Sequence, residues 1–163
     1  MSELEPGLYD WFVYPVLYPG LLWGRYETAI GAELMKATFG DHWPPLMPRP
    51  GETVFAVRDN NCRQPMGSDP EAWISLTRDQ FDSKNYYMSR GVWPKSHGKG
   101  LGKFLRSWAE DYARADGGDC LTIWVSETNQ QHLRQVIDDE YWTQSGSNWI
   151  PPGSHSFYHE IEP

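Results

Sequence analysis

Apolar positions along the chain repeat with two different periods, and the places where the period changes mark the elements. In "YETAIGAELMKATF", Tyr26, Ala29, Ile30, Leu34 and Ala37 fall at i, i+3, i+4, i+8 and i+11, with Glu33 interrupting the stripe. This spacing predicts a first helix that ends near Gly40. Leu101, Phe104, Leu105, Trp108, Ala109, Tyr112 and Ala113 form a full apolar stripe, and Gly117-Gly118 closes this second helix. A shorter amphipathic helix is expected over residues 129–138, with Leu133, Val136 and Ile137 turned inward.

Between these stretches lie short runs rich in β-branched and aromatic residues. Residues 8–13 read as an extended, aromatic opening. "TVFAVRDN" and "AWISLTRD" predict two strands of an antiparallel hairpin joined by the long connection "CRQPMGSDPE". "NYYMSRGVW", stopped by Pro94, predicts a third such strand. "CLTIWVSE" predicts a fourth whose apolar residues require burial on both faces. The chain closes with the strand-like "NWI" and "SFYHEI". The predicted order is therefore β α β β β α β α β β. Strand, glycine-rich turn, helix and strand in succession make a βαβ crossover, and ligands of such sheets sit outside the strand ends near the turn. The expected class is α/β (α+β), a mixed central sheet with flanking helices. No internal repeat or linker divides it, so residues 1–163 are expected to form a single domain.

Composition changes this picture in three respects. Nine Trp, nine Tyr and six Phe in 163 residues point to an aromatic core, while 15 Gly and 13 Pro predict long, well-punctuated loops. The formal net charge of −8, without a block of like charges, disfavours nucleic-acid or anionic-membrane binding and suits an amine-bearing partner. Cys62 and Cys120 form no disulfide framework or CxxC pair, which agrees with a reducing compartment. The start "MSELEPGLYDW" lacks the order of a signal peptide, and "FVYPVLYPGLLW" is short and broken by prolines, so a cytoplasmic protein without a membrane span is expected. His155 and His159 share one face of a strand, but four residues at a strand's rise separate them by ~13 Å, too far for one metal ion, and no metal site is expected.

The most informative stretch is "VWPKSHGKGLGKFL". Gly98, Gly100 and Gly102 occupy five positions directly before the second helix. The first turn of a helix has unpaired N–H groups and a positive dipole end, so glycines in front of it allow a phosphate to reach the main-chain amides. Lys95, Lys99, Lys103 and Arg106 gather around this turn on an otherwise acidic chain. The Walker pattern GxxxxGK[ST] is absent, and GxGxxG fits poorly because no third glycine follows at the needed spacing.

The stretch resembles the signature of the GNAT superfamily of acyl-CoA N-acyltransferases, in which a strand ending in V-x-P continues into [QR]-G-x-G-x-[GA]. Here the positions read Val92, Pro94 and His97-Gly98-Lys99-Gly100-Leu101-Gly102, with His97 in place of Gln or Arg. The order of the following elements, with Asn129 opening the last helix, carries the resemblance over residues 53–160. It implies acetyl-CoA or coenzyme A as cosubstrate, with the pyrophosphate on the loop formed by His97, Gly98, Lys99, Gly100, Leu101, Gly102 and Lys103. Val92 and Trp93 would pair with the pantetheine arm, and Asn129 would contact that arm. The implied activity is transfer of an acetyl (acyl) group to an amine of a small molecule or protein.

Where the family commonly reads N-x-x-A-x-x-x-Y, with the Tyr protonating the departing thiolate, this chain has Asn129, His132 and Val136. Valine donates no proton, so Tyr141 is the candidate for a relocated general acid. "YYMSRGV" offers no carboxylate, which leaves Glu127, at the end of the next strand, as the candidate base, with His132 read as structural. A second reading is a catalytically eroded GNAT-fold binding or structural protein. "NQQHLRQVI" resembles the N-x-x-H-[IL]-R pattern in small virion-associated phage proteins, and the location would then be host cytoplasm or virion. A DNA-modifying acyltransferase is a third reading, disfavoured by the acidity.

Overall fold

A computed structural model of the chain describes residues 11–40, 49–60, 67–145 and 153–163. Its elements are β1 (Trp11–Pro15), α1 (Pro19–Ile30), α2 (Ala32–Phe39), β2 (Glu52–Asp59), β3 (Ala72–Arg78), β4 (Asn85–Val92), α3 (Leu101–Ala115), β5 (Cys120–Ser126), α4 (Gln130–Asp138), β6 (Thr143–Gln144) and β7 (Ser154–Glu160). The strands make one seven-stranded sheet in the order β1-β2-β3-β4-β5-β7-β6. Neighbours are antiparallel except β4 and β5, which the α3 crossover makes parallel. The architecture is the expected mixed sheet with flanking helices.

Two cores cover the two faces. The helix α3 stripe puts Leu105, Ala109 and Ala113 out of solvent against Ile74, Leu76, Tyr86, Met88 and Leu121 of the central strands. Full burial of a leucine such as Leu105 stabilises by roughly 1.5–3 kcal/mol. On the opposite face, α1 and α2 lay Leu22, Trp23, Tyr26 and Met35 over Val54, Ala56, Trp73 and Trp93. Because strand side chains alternate, β4 sends Tyr86, Met88, Arg90 and Val92 towards α3, and Tyr87, Ser89 and Gly91 towards α1 and α2.

The first helix departs from the expectation. It begins earlier, at Pro19, where proline's missing N–H costs nothing, and it is broken at Gly31. Gly31 has φ +91°, outside the helical region, so the stripe loses phase there: Met35 is buried and Leu34 is 49% exposed. Ile137 is likewise 55% exposed, because α4 ends one residue later and only Leu133 and Val136 face the sheet. The observed order is β α α β β β α β α β β. Of the opening, residues 8–10 lie outside the described residues, as does "NWI"; the edge strand β6 is instead the two-residue Thr143–Gln144.

Gly91 is needed for close packing. A Cβ there would stand 2.4 Å from Trp73 Nε1 and 2.7 Å from Tyr26 Cζ, both in rings held by the second core. Gly91→Ala is expected to lower the unfolding free energy by about 1–3 kcal/mol through overpacking, seen as a lower denaturant midpoint at unchanged slope.

Candidate coenzyme site

Strands β4 and β5 pair only at Asn85↔Cys120, Tyr86↔Leu121 and Tyr87↔Thr122, and then separate. The Trp93 N–H donates to the Glu71 carbonyl at 3.0 Å, so the main-chain groups of Trp93, Gly91 and Ser89 are directed to the β3 side. Those of Met88, Arg90 and Val92 consequently face the opening. At Val92 the carbonyl accepts from His97 Nε2 at 3.1 Å, and the amide faces the Tyr26 phenol, whose pKa burial raises. Val92 and Trp93, expected to meet a pantetheine arm, thus already have protein partners, whereas the Met88 carbonyl and the Arg90 N–H and carbonyl, beyond the last rung Tyr87↔Thr122, have no ladder partner among the described residues.

The glycine loop ends over this opening. Gly98 and Gly100 have φ +81° and +77°, conformations that favour glycine. Cβ atoms built at Gly98, Gly100 and Gly102 would meet nothing within 4 Å. Gly100 is the N-cap of α3, with no side-chain cap and no acidic residue in the first turn. The N–H groups of Leu101, Gly102 and Lys103 are therefore left for an anion, which the helix dipole favours.

The charge around the loop is distributed differently from the expectation. Glu71, only 3% exposed, accepts from Ser96 Oγ at 2.6 Å and Lys99 Nζ at 3.2 Å, and lies 3.5 Å from Lys95 Nζ. Burial pushes its pKa up, but Ser96, Lys99 and Lys95 together hold it below the usual carboxylate range. Lys95 also donates to the Asp69 carbonyl at 2.6 Å. Arg106 pairs with Asp139 at 2.9 Å and lies 4.0 Å over the Tyr141 ring. Two of the four predicted cations share one buried carboxylate that is remote in sequence.

The site also contains a cation that the pattern analysis did not single out. Arg90 extends beneath α3 and donates to the Gly102 carbonyl. Burial, reinforced by Arg106, lowers its pKa to about 10. The signal in the sequence was an arginine on the apolar face of a strand.

The other candidates are brought elsewhere. Asn129 caps α4, its Oδ1 accepting from the His132 N–H at 3.2 Å. His132 is partly buried, and burial, then Arg90, lower its pKa. Val136 is in the core. Tyr141 donates its phenolic proton to Glu110 at 2.6 Å and stacks on His159 at 3.7 Å; burial, then Glu110, push its pKa up. Glu127 is exposed and lies 3.1 Å from His155 Nε2. His155 and His159 therefore meet different carboxylates, Glu127 and Glu110.

On the α1/α2 face, a cavity of about 980 Å³ begins at the last paired residues, Tyr87 and Thr122. Trp124, Tyr158, Ser156 and Asp79 also line it. Tyr87 donates to Asp79 at 3.2 Å, and burial, then Asp79, raise its pKa to about 12. Asp79 also accepts from the Phe81 N–H and from Asn85, and these bonds keep it ionised against the effect of burial. The carboxylate missing from β4 is thus supplied at the cavity by the β3–β4 turn. Among the described residues, no helix is long and apolar enough to cross a membrane.

No protein-family model and no curated protein sequence matches the chain. Solved structures do match its fold. The GNAT domain of S. lividans PAT aligns with 91% of this chain and 89% of its own at a TM-score of 0.64 and 14% identity. Spermidine N-acetyltransferase from Vibrio cholerae, solved in complex with CoA and spermine, aligns over 93% of this chain and 95% of its own at 0.63 and 12%. Parallel strands that separate beneath a glycine loop, in a sheet superposing on these enzymes over nearly its whole length, give this chain the fold of the GNAT acyl-CoA N-acyltransferases.

Proposed function

We propose that this chain transfers an acyl group, acetyl in the simplest case, from acyl-CoA to an amine. The observation that carries the reading is the set of uncapped α3 amides beside a strand edge left free where β4 and β5 separate, with a cavity lined by the last paired residues. The empty space in front of Gly98, Gly100 and Gly102 fits a diphosphate on the amides of residues 98–103. The CoA held by the Vibrio cholerae enzyme of the same fold supports this cosubstrate. The Met88 carbonyl and the Arg90 main chain are offered to the pantetheine arm, and the Arg90 N–H to the oxyanion.

The acceptor amine enters from the α1/α2 face, where Asp79 and the aromatic rings of Tyr87, Trp124 and Tyr158 favour a cation. It loses its ammonium proton to water, attacks the thioester carbonyl carbon, and sheds a second proton to water as the collapsing intermediate expels the coenzyme thiolate. A thiolate leaves readily near neutral pH, so general acid catalysis matters less here than for an alkoxide. The burial of Val136 and the commitment of the Tyr141 proton to Glu110 favour the second reading, a GNAT-fold protein that binds without turnover. Turnover of acetyl-CoA against small amines, polyamines and Lys peptides separates the two.

Acetyl-CoA is expected to stabilise the protein by ~2.7 kcal/mol at a concentration 100 times Kd, measured by thermal shift. No shift at millimolar ligand would remove the acyl-CoA reading. Gly102→Glu is expected to abolish the shift without lowering the melting temperature of the free protein. Its side chain has room, and a carboxylate in the first turn suits the helix dipole while repelling a phosphate.

Tyr141→Phe is expected to reduce turnover less than ~10-fold, against the 10²–10⁴-fold that loss of a general acid costs. The lost bond to Glu110 instead lowers stability by about 1 kcal/mol. A loss of 100-fold or more with coenzyme binding retained would make Tyr141 the acid.

A further inference from the structure

We infer that Arg90, rather than Lys95 or Lys99 of the loop, supplies the positive charge that receives the coenzyme diphosphate. The inference rests on the acyl-CoA reading and adds to it a binding residue outside the glycine loop.

Three observations carry it. First, Arg90 stands in the row of β4 side chains directed at α3, where Tyr86 and Met88 belong to the apolar core. A guanidinium in such a row loses most of its water and needs compensation. Second, it does not receive that compensation from the described residues. A guanidinium has five N–H donors, and the only acceptor Arg90 has among those residues is the Gly102 carbonyl. None of their carboxylates lies within ion-pair distance of it. Asp139, which acts on it only from farther away, is paired with Arg106, and Glu110 is occupied by Tyr141 and His159. The nearby Arg106 is a like charge, and His132 is disfavoured as a cation partly by Arg90 itself. Third, Lys95 and Lys99 are in the opposite condition, since both lie against buried Glu71, and Lys103, the remaining lysine of the loop, is exposed, where water screens its charge.

Position decides which anion completes the group. Gly102 is in the first turn of α3, so its carbonyl holds the guanidinium beside the same turn whose Leu101, Gly102 and Lys103 amides are uncapped. A diphosphate has oxygens for both: the amides approach it from the helix end and the planar fork from beneath. Lys95 and Lys99 anchor the loop through Glu71, and the arginine meets the ligand.

Binding of acetyl-CoA, S-acetylpantetheine (which has no phosphate) and inorganic diphosphate to wild type, Arg90→Gln and Arg90→Lys tests this by calorimetry and thermal shift. Arg90→Gln is expected to weaken acetyl-CoA and inorganic diphosphate about 10- to 100-fold and to leave S-acetylpantetheine unchanged. Without ligand, Arg90→Gln is expected to melt no lower than wild type, since it removes an uncompensated charge, which a purely structural arginine would not do. Arg90→Lys is expected to keep part of the affinity, and it carries the test should the glutamine variant not fold. Unchanged or tighter acetyl-CoA binding in folded Arg90→Gln would overturn the inference and leave the acyl-CoA reading intact. An equal loss for S-acetylpantetheine would overturn it too, by moving Arg90 to the acyl end. If wild type binds diphosphate through Arg90 but not acetyl-CoA, the anion site stands and the acyl-CoA reading falls. Binding of neither by wild type overturns both.

Discussion

Hydrogen bonding between β4 and β5 stops after Tyr87 and Thr122, and most of the candidate site follows from that interruption. Two parallel strands need a crossover, and α3 supplies it, starting nine residues beyond the end of β4 with its first turn uncapped. The Met88 carbonyl and the Arg90 main-chain groups are directed at a gap instead of a neighbouring strand, although β4 lies inside the sheet. Unpaired groups of this kind are costly unless water or a ligand reaches them, so the gap is where a ligand with amides of its own gains most. The same interruption opens the other face, since Tyr87 and Thr122 are both the last rungs of the ladder and part of the cavity wall.

Glu71 organises the charge above the gap. It precedes β3, yet its carboxylate reaches Ser96, Lys99 and Lys95 in the loop after β4, because β3 and β4 are antiparallel neighbours and the end of one lies beside the start of the other. Exposed lysine pairs contribute little to stability, but a buried acceptor bonded to a buried serine restricts where the loop can go. That restriction orients the amides that precede α3. It also leaves a chain of net charge −8 with a local positive group beneath the helix start, at Arg90.

The structure reads the two signature positions before the loop in a way the resemblance did not anticipate. Val92 and Trp93 are occupied by His97 and Glu71 through main-chain bonds, and Asn129 is occupied as a cap. His97, the residue that departs from the family pattern, is the one that closes the Val92 carbonyl. The strand edge left without a neighbour is thereby confined to the Met88 carbonyl and Arg90.

By itself the sequence determined the fold class, because α3, α4 and the central strands announce themselves through local periodicity. Burial of one face produces the stripe of Leu101, Leu105 and Ala109, and burial of both faces the run at β5. It determined the glycine loop for the same reason, since positive φ at Gly98 and Gly100 is a local requirement. It did not determine where the first helix breaks, because a glycine inside an apolar stripe is compatible with either continuation or interruption until packing selects one. Nor did it reveal the partners of the charged side chains. Glu71 with Lys99, Tyr87 with Asp79 and Tyr141 with Glu110 join residues on different elements, and only strand register and helix docking bring those atoms within bonding distance. Which cations near the loop remain free for a ligand was decided at that level, because a charge is neutralised by whatever lies within a few ångströms in space, irrespective of its separation along the chain.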